Sequence, residues 1–119
     1  MARHNELGKD GEAKAAFFLH NLGYSIVERN YDHPLGQIDI IARHGETYVF
    51  VEVKTRESGG WGTPEQQFTR AQQKRIVRAA LCWLKRLGGH PPARFDLVAV
   101  DHGEIRHHRN AFTDARYTY

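Results

Sequence analysis

The chain has 119 residues, 40% of them hydrophobic and 26% charged, which suits one folded domain (residues 1–119) and excludes fibrous, low-complexity and wholly disordered chains. Seventeen Lys and Arg against 14 Asp and Glu give a net charge of +3, which permits a polyanionic partner without requiring one. The lone Cys82 excludes an intramolecular disulfide and a cysteine-rich metal finger and fits a reducing, cytoplasmic setting. The apolar runs fall far short of the roughly 20 residues of a membrane span, and Met1–Asp10 is polar, without the apolar segment of a signal peptide, so no membrane association is expected.

The first predicted element is a helix over about Glu6–Leu22, with Ala13, Ala16, Phe17 and His20 at helical spacing and Gly23 placed to stop it. Tyr24–Tyr31 reads as a strand around Ile26 and Val27, and Asp32–Gly36, with Pro34 and Gly36, as a loop. Gln37–Arg43 and Thr47–Lys54 follow as strands rich in Ile, Val, Tyr and Phe. After the glycine-rich loop Ser58–Gly62, a second helix has two competing starts, because Thr63…Gln66 and Thr69…Gln72 each fit a capping box. It ends at Leu87, before Gly88-Gly89 and Pro91-Pro92, and buries Ile76, Val77, Ala80, Leu84 and Leu87. Arg94–Asp101 is a strand, and Asp101-His102-Gly103-Glu104 a turn into a short strand near Ile105. Asn110–Tyr119 carries no clear signal. The order helix-strand-strand-strand-helix-strand defines an α/β fold, a mixed sheet flanked by helices.

The second and third strands carry the sharpest inference. Gly45-Glu46 suits a two-residue turn with glycine first, which pairs His44 with Thr47. Counting outward, Ile41 faces Phe50, Asp39 faces Glu52 and Gln37 faces Lys54, all on one side of the sheet; Ile38, Ile40 and Ala42 lie with Val49, Val51 and Val53 on the other, apolar side. Two carboxylates directly opposed, about 5 Å apart at Cβ, repel unless something offsets the charge. A divalent cation does so, since Mg²⁺ takes hard oxygen ligands and is often held by one or two carboxylates. Lys54 then stands where an ammonium orients water or neutralises developing charge. The competing reading is a solvent-facing strand edge with an ordinary Glu52/Lys54 pair.

Asp39 followed by Glu52-Val53-Lys54 resembles the Asp…Glu-x-Lys signature of the restriction-endonuclease-like nuclease superfamily, and the element order is similar to that superfamily's core. More narrowly, the chain resembles the uncharacterised bacterial YraN family. The resemblance lies in Gly11-Glu12-Ala13, Gly23-Tyr24, Arg29-Asn30, Gly36-Gln37-Ile38-Asp39-Ile40-Ile41, Phe50-Val51-Glu52-Val53-Lys54-Thr55-Arg56, Trp61-Gly62-Thr63-Pro64, Lys74 and Arg94-Phe95-Asp96. It implies a metal-dependent phosphodiesterase site using Mg²⁺ or Mn²⁺, with Asp39 and Glu52 as metal carboxylates and Lys54 beside them. The chain is also similar to archaeal Holliday-junction resolvases, which place a further acidic residue on the first helix; Glu12 stands at that position. Where the family pattern reads Gly-Glu-Ile-Asp, this chain has Gln37, which can hydrogen-bond but carries no charge.

Arg70, Lys74, Arg78 and Lys85 form one stripe of the second helix, and Arg56 and Trp61 follow the Glu-x-Lys strand. Together they are candidates for phosphate contact and base stacking, with DNA, or RNA by the same contacts, as partner. The bland alternatives are a solvated helix face for the stripe, and a core plug or a homodimer contact for Trp61. His102, His107 and His108 match no zinc spacing and read as solvated, and Cys82 reads as structural. No phosphate-cradling glycine loop, nucleophile elbow or dinucleotide fingerprint is present. The function expected is therefore a metal-dependent nuclease acting on DNA, including branched or repair intermediates. The alternatives are a non-catalytic nucleic-acid-binding module on the same fold and a protein-interaction adaptor.

Overall fold

Alternating apolar residues pair into five strands, and two helices of 3.6-residue period cover the two faces of the resulting sheet. The computed structural model describes residues 2–56 and 62–113. Helix α1 (Ala2–Asn21) leads into β1 (Ser25–His33), β2 (Gly36–His44) and β3 (Thr47–Arg56). A short 3₁₀ turn (Pro64–Gln67) then precedes α2 (Arg70–Lys85), β4 (Ala93–Asp101) and β5 (Glu104–His108). The strands lie side by side in the order β1-β2-β3-β4-β5; only β3 and β4, joined through α2, are parallel. The expected mixed sheet flanked by helices is present.

Each face has its own core. Ala15, Ala16 and Leu19 of α1 pack with Ile40, Ala42, Val49, Val51, Val98 and Val100. Ile76, Val77, Ala80, Trp83 and Leu84 of α2 pack with Ile41, Phe50, Phe95 and Leu97. The faces are as expected with one exception: Ile38 belongs with the α2 core, not with Ile40 and Ala42.

Several boundaries differ from the sequence reading. The segment expected as a loop, Asp32–Gly36, is mostly strand, because β1 and β2 stay paired to His33↔Gly36 and leave only Pro34-Leu35 as the turn. Both capping boxes are used: Thr63 caps the 3₁₀ turn and Thr69 caps α2. Helix α2 ends at Lys85, so Leu87 lies beyond it and is exposed. In α1 the buried stripe is turned by one residue: Gly11, Glu12, Ala15, Ala16 and Leu19 face inward, while Ala13, Phe17 (67% exposed) and His20 face out. The smallest residues face the sheet, which brings the helix axis close to it. The tail, without signal in the sequence, returns over β4: Ala111 N–H donates to Phe95 O, and Phe112 is buried edge-on against Phe68.

Two glycines set the helix heights. A Cβ on Gly11 of α1 would sit 2.0 Å from Thr55 Cγ2 of β3, and one on Gly36 of β2 would sit 3.1 Å from the backbone oxygen of Arg75 in α2. Gly11→Ala is therefore expected to destabilise by about 1–3 kcal/mol through overpacking. Gly11→Ala with Thr55→Ser, which removes the clashing methyl, should recover at least half of the loss, aided by alanine's helix preference. Urea melts of the single and double variants check this.

Candidate functional site

The site is built where β2 leaves β3. Their ladder runs from His44↔Thr47 to Ile40↔Val51 and stops there, with Gly45 (φ +63°) making the glycine-first turn at the closed end. Beyond Val51, β3 remains paired with β4 as far as Arg56↔Asp101, while β2 remains paired with β1. The expected ladder pairs Asp39↔Glu52 and Gln37↔Lys54 thus do not form; Gln37 pairs with Asp32 of β1. A kink shared by β1 and β2 accompanies the parting. Asn30 adopts φ +54° within β1, and across from it Asp39 separates Ile38 on the α2 side from Ile40 on the α1 side. Asp39 accordingly reaches sideways into the fork, where Oδ2 accepts the Val53 N–H at 2.8 Å, replacing a lost ladder bond.

Although the ladder has ended, the two carboxylates still meet. Glu52 is half-buried, as is Asp39, and its Oε2 lies 3.3 Å from Lys54 Nζ, which also sits 5.8 Å from the centre of the Phe68 ring. Burial pushes the Glu52 carboxyl up to about 8, helped by the Asp39 charge and a hydrogen bond with Asp39; Lys54 opposes the shift. Burial also raises Asp39, against the pull of the Val53 N–H, Glu52 and Lys54. The two carboxyls therefore titrate as a pair, displaced upward from the ordinary carboxylate range. Glu12, buried at 7% exposure, is held by Arg29 Nε at 3.2 Å, and its carboxyl is raised first by burial and then by the Asp39 charge.

Two cavities open on Asp39, one of them also on Glu52. One, of about 180 Å³ against α2, is lined by Gly36, Gln37, Asp39, Glu52, Gln72, Arg75 and Ile76. The other, of about 280 Å³ against α1, is lined by Lys9, Glu12, Asn30, Gln37, Asp39 and Thr55 among others. Asp39 and Gln37 line both. The structure thus brings together Asp39, Glu52, Lys54, Gln37 and Glu12. Among the described residues, however, no group of three or more His, Cys, Asp or Glu is close enough to hold a metal ion.

The expected nucleic-acid contacts fall elsewhere. Arg70, Lys74 and Lys85 are exposed, and Arg78 is half-buried, its Nε without a hydrogen-bond partner; none of the four lines either cavity. The α2 residues that do are Gln72 and Arg75, with Lys74 about 100° round the helix from Arg75. Arg56 is bound to both oxygens of Asp101, at 2.9 and 3.0 Å, in place of a free phosphate contact. Trp61 lies outside the described residues. The histidines have separate partners: His107 is 2.7 Å from Asp96, His108 is 2.8 Å from Glu65 and His102 is 3.6 Å from Asp101. His107 is largely buried rather than solvated, a consequence of the buried Asp96 beneath it. The placement of Gln72 and Arg75 at the cavity was not visible in the sequence, where Gln72 reads as part of a capping box and nothing marks Arg75.

Fold and site define an α/β protein with a five-strand mixed sheet flanked by helices and an acidic cleft where two central strands part. The chain belongs to the family described as "Uncharacterised protein family UPF0102", whose model matches residues 11–100. It is 47% identical over 117 residues to a UPF0102 protein of Geotalea uraniireducens, covering 93% of this chain and 92% of that one. It is 45% identical over 118 residues to one of Geobacter sulfurreducens, covering 93% and 92%, and 43% identical over 118 residues to one of Rhodococcus jostii, covering 94% and 100%. At the family level the expected resemblance is met. No helix among the described residues is long and apolar enough to cross a membrane.

The raised Glu52 carboxyl has a definite consequence for stability. The folded protein holds a proton that the unfolded chain releases near pH 4.5, so the Glu52 contribution to metal-free stability should be full below that pH and be lost as pH rises toward about 8. The steepest slope should be about 1.4 kcal/mol per pH unit, one proton's worth. Glu52→Gln should flatten the profile over that range, as read by denaturant melts in EDTA from pH 4 to 9.

Proposed function

We propose that this protein is a divalent-cation-dependent phosphodiesterase acting on nucleic acid, DNA in the first place, on a restriction-endonuclease-like core. One observation carries the reading: Asp39 and Glu52 meet in the fork, half-buried and both raised, with Lys54 3.3 Å from Glu52. Half-buried acids at a cavity with upward-shifted titration are candidates for a functional site. The order α1-β1-β2-β3-α2-β4 and the spacing of Asp39, Glu52 and Lys54 support the superfamily resemblance. The lone Cys82 accords with a cytoplasmic setting.

The donor set fits Mg²⁺ or Mn²⁺. Asp39 uses Oδ2 on Val53 and Glu52 uses Oε2 on Lys54, and a cation held between the two carboxylates would take the place of the hydrogen bond they share. Two carboxylates with water and phosphate oxygens suffice for a hard six-coordinate ion. Glu12, committed to Arg29, adds negative field rather than a third ligand. When bound, the ion would polarise a phosphoryl oxygen and make a bound water more acidic. The chain's own groups do the rest. Asp39 and Glu52 are held in place by the Val53 N–H and by Lys54, and the Lys54 ammonium can turn from Glu52 to a non-bridging phosphate oxygen as charge builds there. The water oxygen bonds to phosphorus as one ester P–O bond breaks, leaving a phosphomonoester and a hydroxyl, with the water proton ending on the departing oxygen.

Gln37 favours a second reading, a nucleic-acid-binding module without turnover, because it is an uncharged side chain at the point shared by both cavities. The test is a panel of labelled flaps, junctions, single strands and duplexes, with Mg²⁺, Mn²⁺ or EDTA. Cleavage is expected with metal, is lost in EDTA and falls at least about 10²-fold in Asp39→Ala and Glu52→Ala. Binding without cleavage under every metal condition would leave the module. Separately, Gln37→Glu should tighten Mn²⁺ binding in calorimetry, because it adds a carboxylate beside Asp39; unchanged binding would remove position 37 from the site.

A further inference from the structure

The two cavities lie on opposite faces of the sheet, one against α2 and one against α1, and they meet at Asp39 and Gln37. A ligand ending at the acidic pair needs one of them; a chain running past the pair uses both. The cations are distributed to match. Lys54 and Arg29 are committed to Glu52 and Glu12. Arg75 in the α2-side cavity and Lys9 in the α1-side cavity have no carboxylate partner or side-chain hydrogen bond among the described residues. Both are exposed.

Both cations also ride on anchored helices. The backbone of Arg75 lies against Gly36, where a Cβ would come within 3.1 Å of it, and α1 is seated on β3 two residues after Lys9, where Gly11 meets Thr55. A polyanion approaching three carboxylates is repelled unless cations flank them, and Arg75 and Lys9 are the groups placed to do so.

We infer that a single nucleic-acid strand crosses the fork from one face of the sheet to the other, with Lys9 and Arg75 each holding a phosphate on either side of the reacting one. The substrate is then an internal phosphodiester of a polymer, and cleavage is endonucleolytic rather than the removal of terminal nucleotides. This rests on the reading of Asp39 and Glu52 as the reacting centre.

The test uses fluorescent single-stranded DNA of 2 to 12 nucleotides bound to the full chain carrying Glu52→Gln in Mg²⁺, and circular single-stranded DNA given to the parent with Mg²⁺ or Mn²⁺. Affinity should rise with length until the strand spans both cavities and then level off. Arg75→Ala and Lys9→Ala should each weaken binding of the longest strand at least about 5-fold and shrink the slope of log K against log salt by about 0.7. Arg43→Ala, at the closed end of the hairpin beside Glu46, should change neither. The circle should be linearised. Length-independent binding, an unchanged salt slope in both variants, or consumption only of strands with free ends would overturn the inference. If the parent cleaves nothing yet shows the length dependence and both slope changes, the phosphodiesterase reading fails and the strand path stands. If it cleaves while Arg75 and Lys9 prove inert, the strand path fails and that reading stands.

Discussion

The hydrogen bond from Val53 N–H to Asp39 Oδ2 is the constraint on which the site depends. A central strand that loses its neighbour leaves backbone donors facing an apolar interior, which costs about 1–3 kcal/mol for each unpaired group. Here β3 loses β2 after Val51, and a side chain from the departing strand supplies the acceptor. Asp39 suits the task because the shared kink at Asn30 and Asp39 turns its side chain into the plane of the sheet rather than onto either face. One carboxylate thereby satisfies the Val53 donor at the head of the fork and remains open to cavities on both sides.

The acidic groups of this protein fall into two kinds, and the contrast separates framework from site. Asp96 is fully buried, yet Arg94, His107 and the Asn110 N–H surround it; burial pushes its carboxyl up, and those partners outweigh burial and bring it down. Asp101 is lowered by hydrogen bonds from Arg56 and Arg106. These acids tie β4 to the tail, to β3 and to β5, and their charge is matched where they stand. Asp39, Glu52 and Glu12 are all raised, by burial first, because the cations and donors beside them do not outweigh it as those of Asp96 do. A protein that pairs its framework acids so fully, and leaves three others under-compensated around one cleft, departs from local consistency at one place, as functional sites do.

Much of this was legible in the sequence, for reasons that can be named. The Gly45-Glu46 turn fixed the hairpin register as far as Ile40↔Val51, because a two-residue turn leaves no freedom of pairing. The two threonine capping boxes both proved to be real helix starts. Counting outward past Ile40 failed because period-two alternation presumes an unbroken ladder, and nothing local in Asn30 or Asp39 announces a kink shared by two strands. The face of α1 was misjudged because apolar count favoured Phe17, whereas closeness to the sheet favoured Gly11, Ala15 and Ala16. Arg75 went unremarked because a helix's polar residues look alike until a neighbour is set against one of them.

The sequence by itself determined the strands and helices, the closed end of the β2–β3 hairpin, and the meeting of Asp39, Glu52 and Lys54 in one neighbourhood, because turn chemistry and alternation act over a few residues. The tertiary structure alone decided that β2 and β3 part at Val51, that Glu12 is buried beside Arg29, that Arg56 is spent on Asp101, and that Arg75 and Lys9 flank the cleft from opposite faces. Those outcomes depend on contact between segments distant in the chain, such as the helix approaches at Gly11 and Gly36 that seat Lys9 and Arg75, which no local pattern encodes.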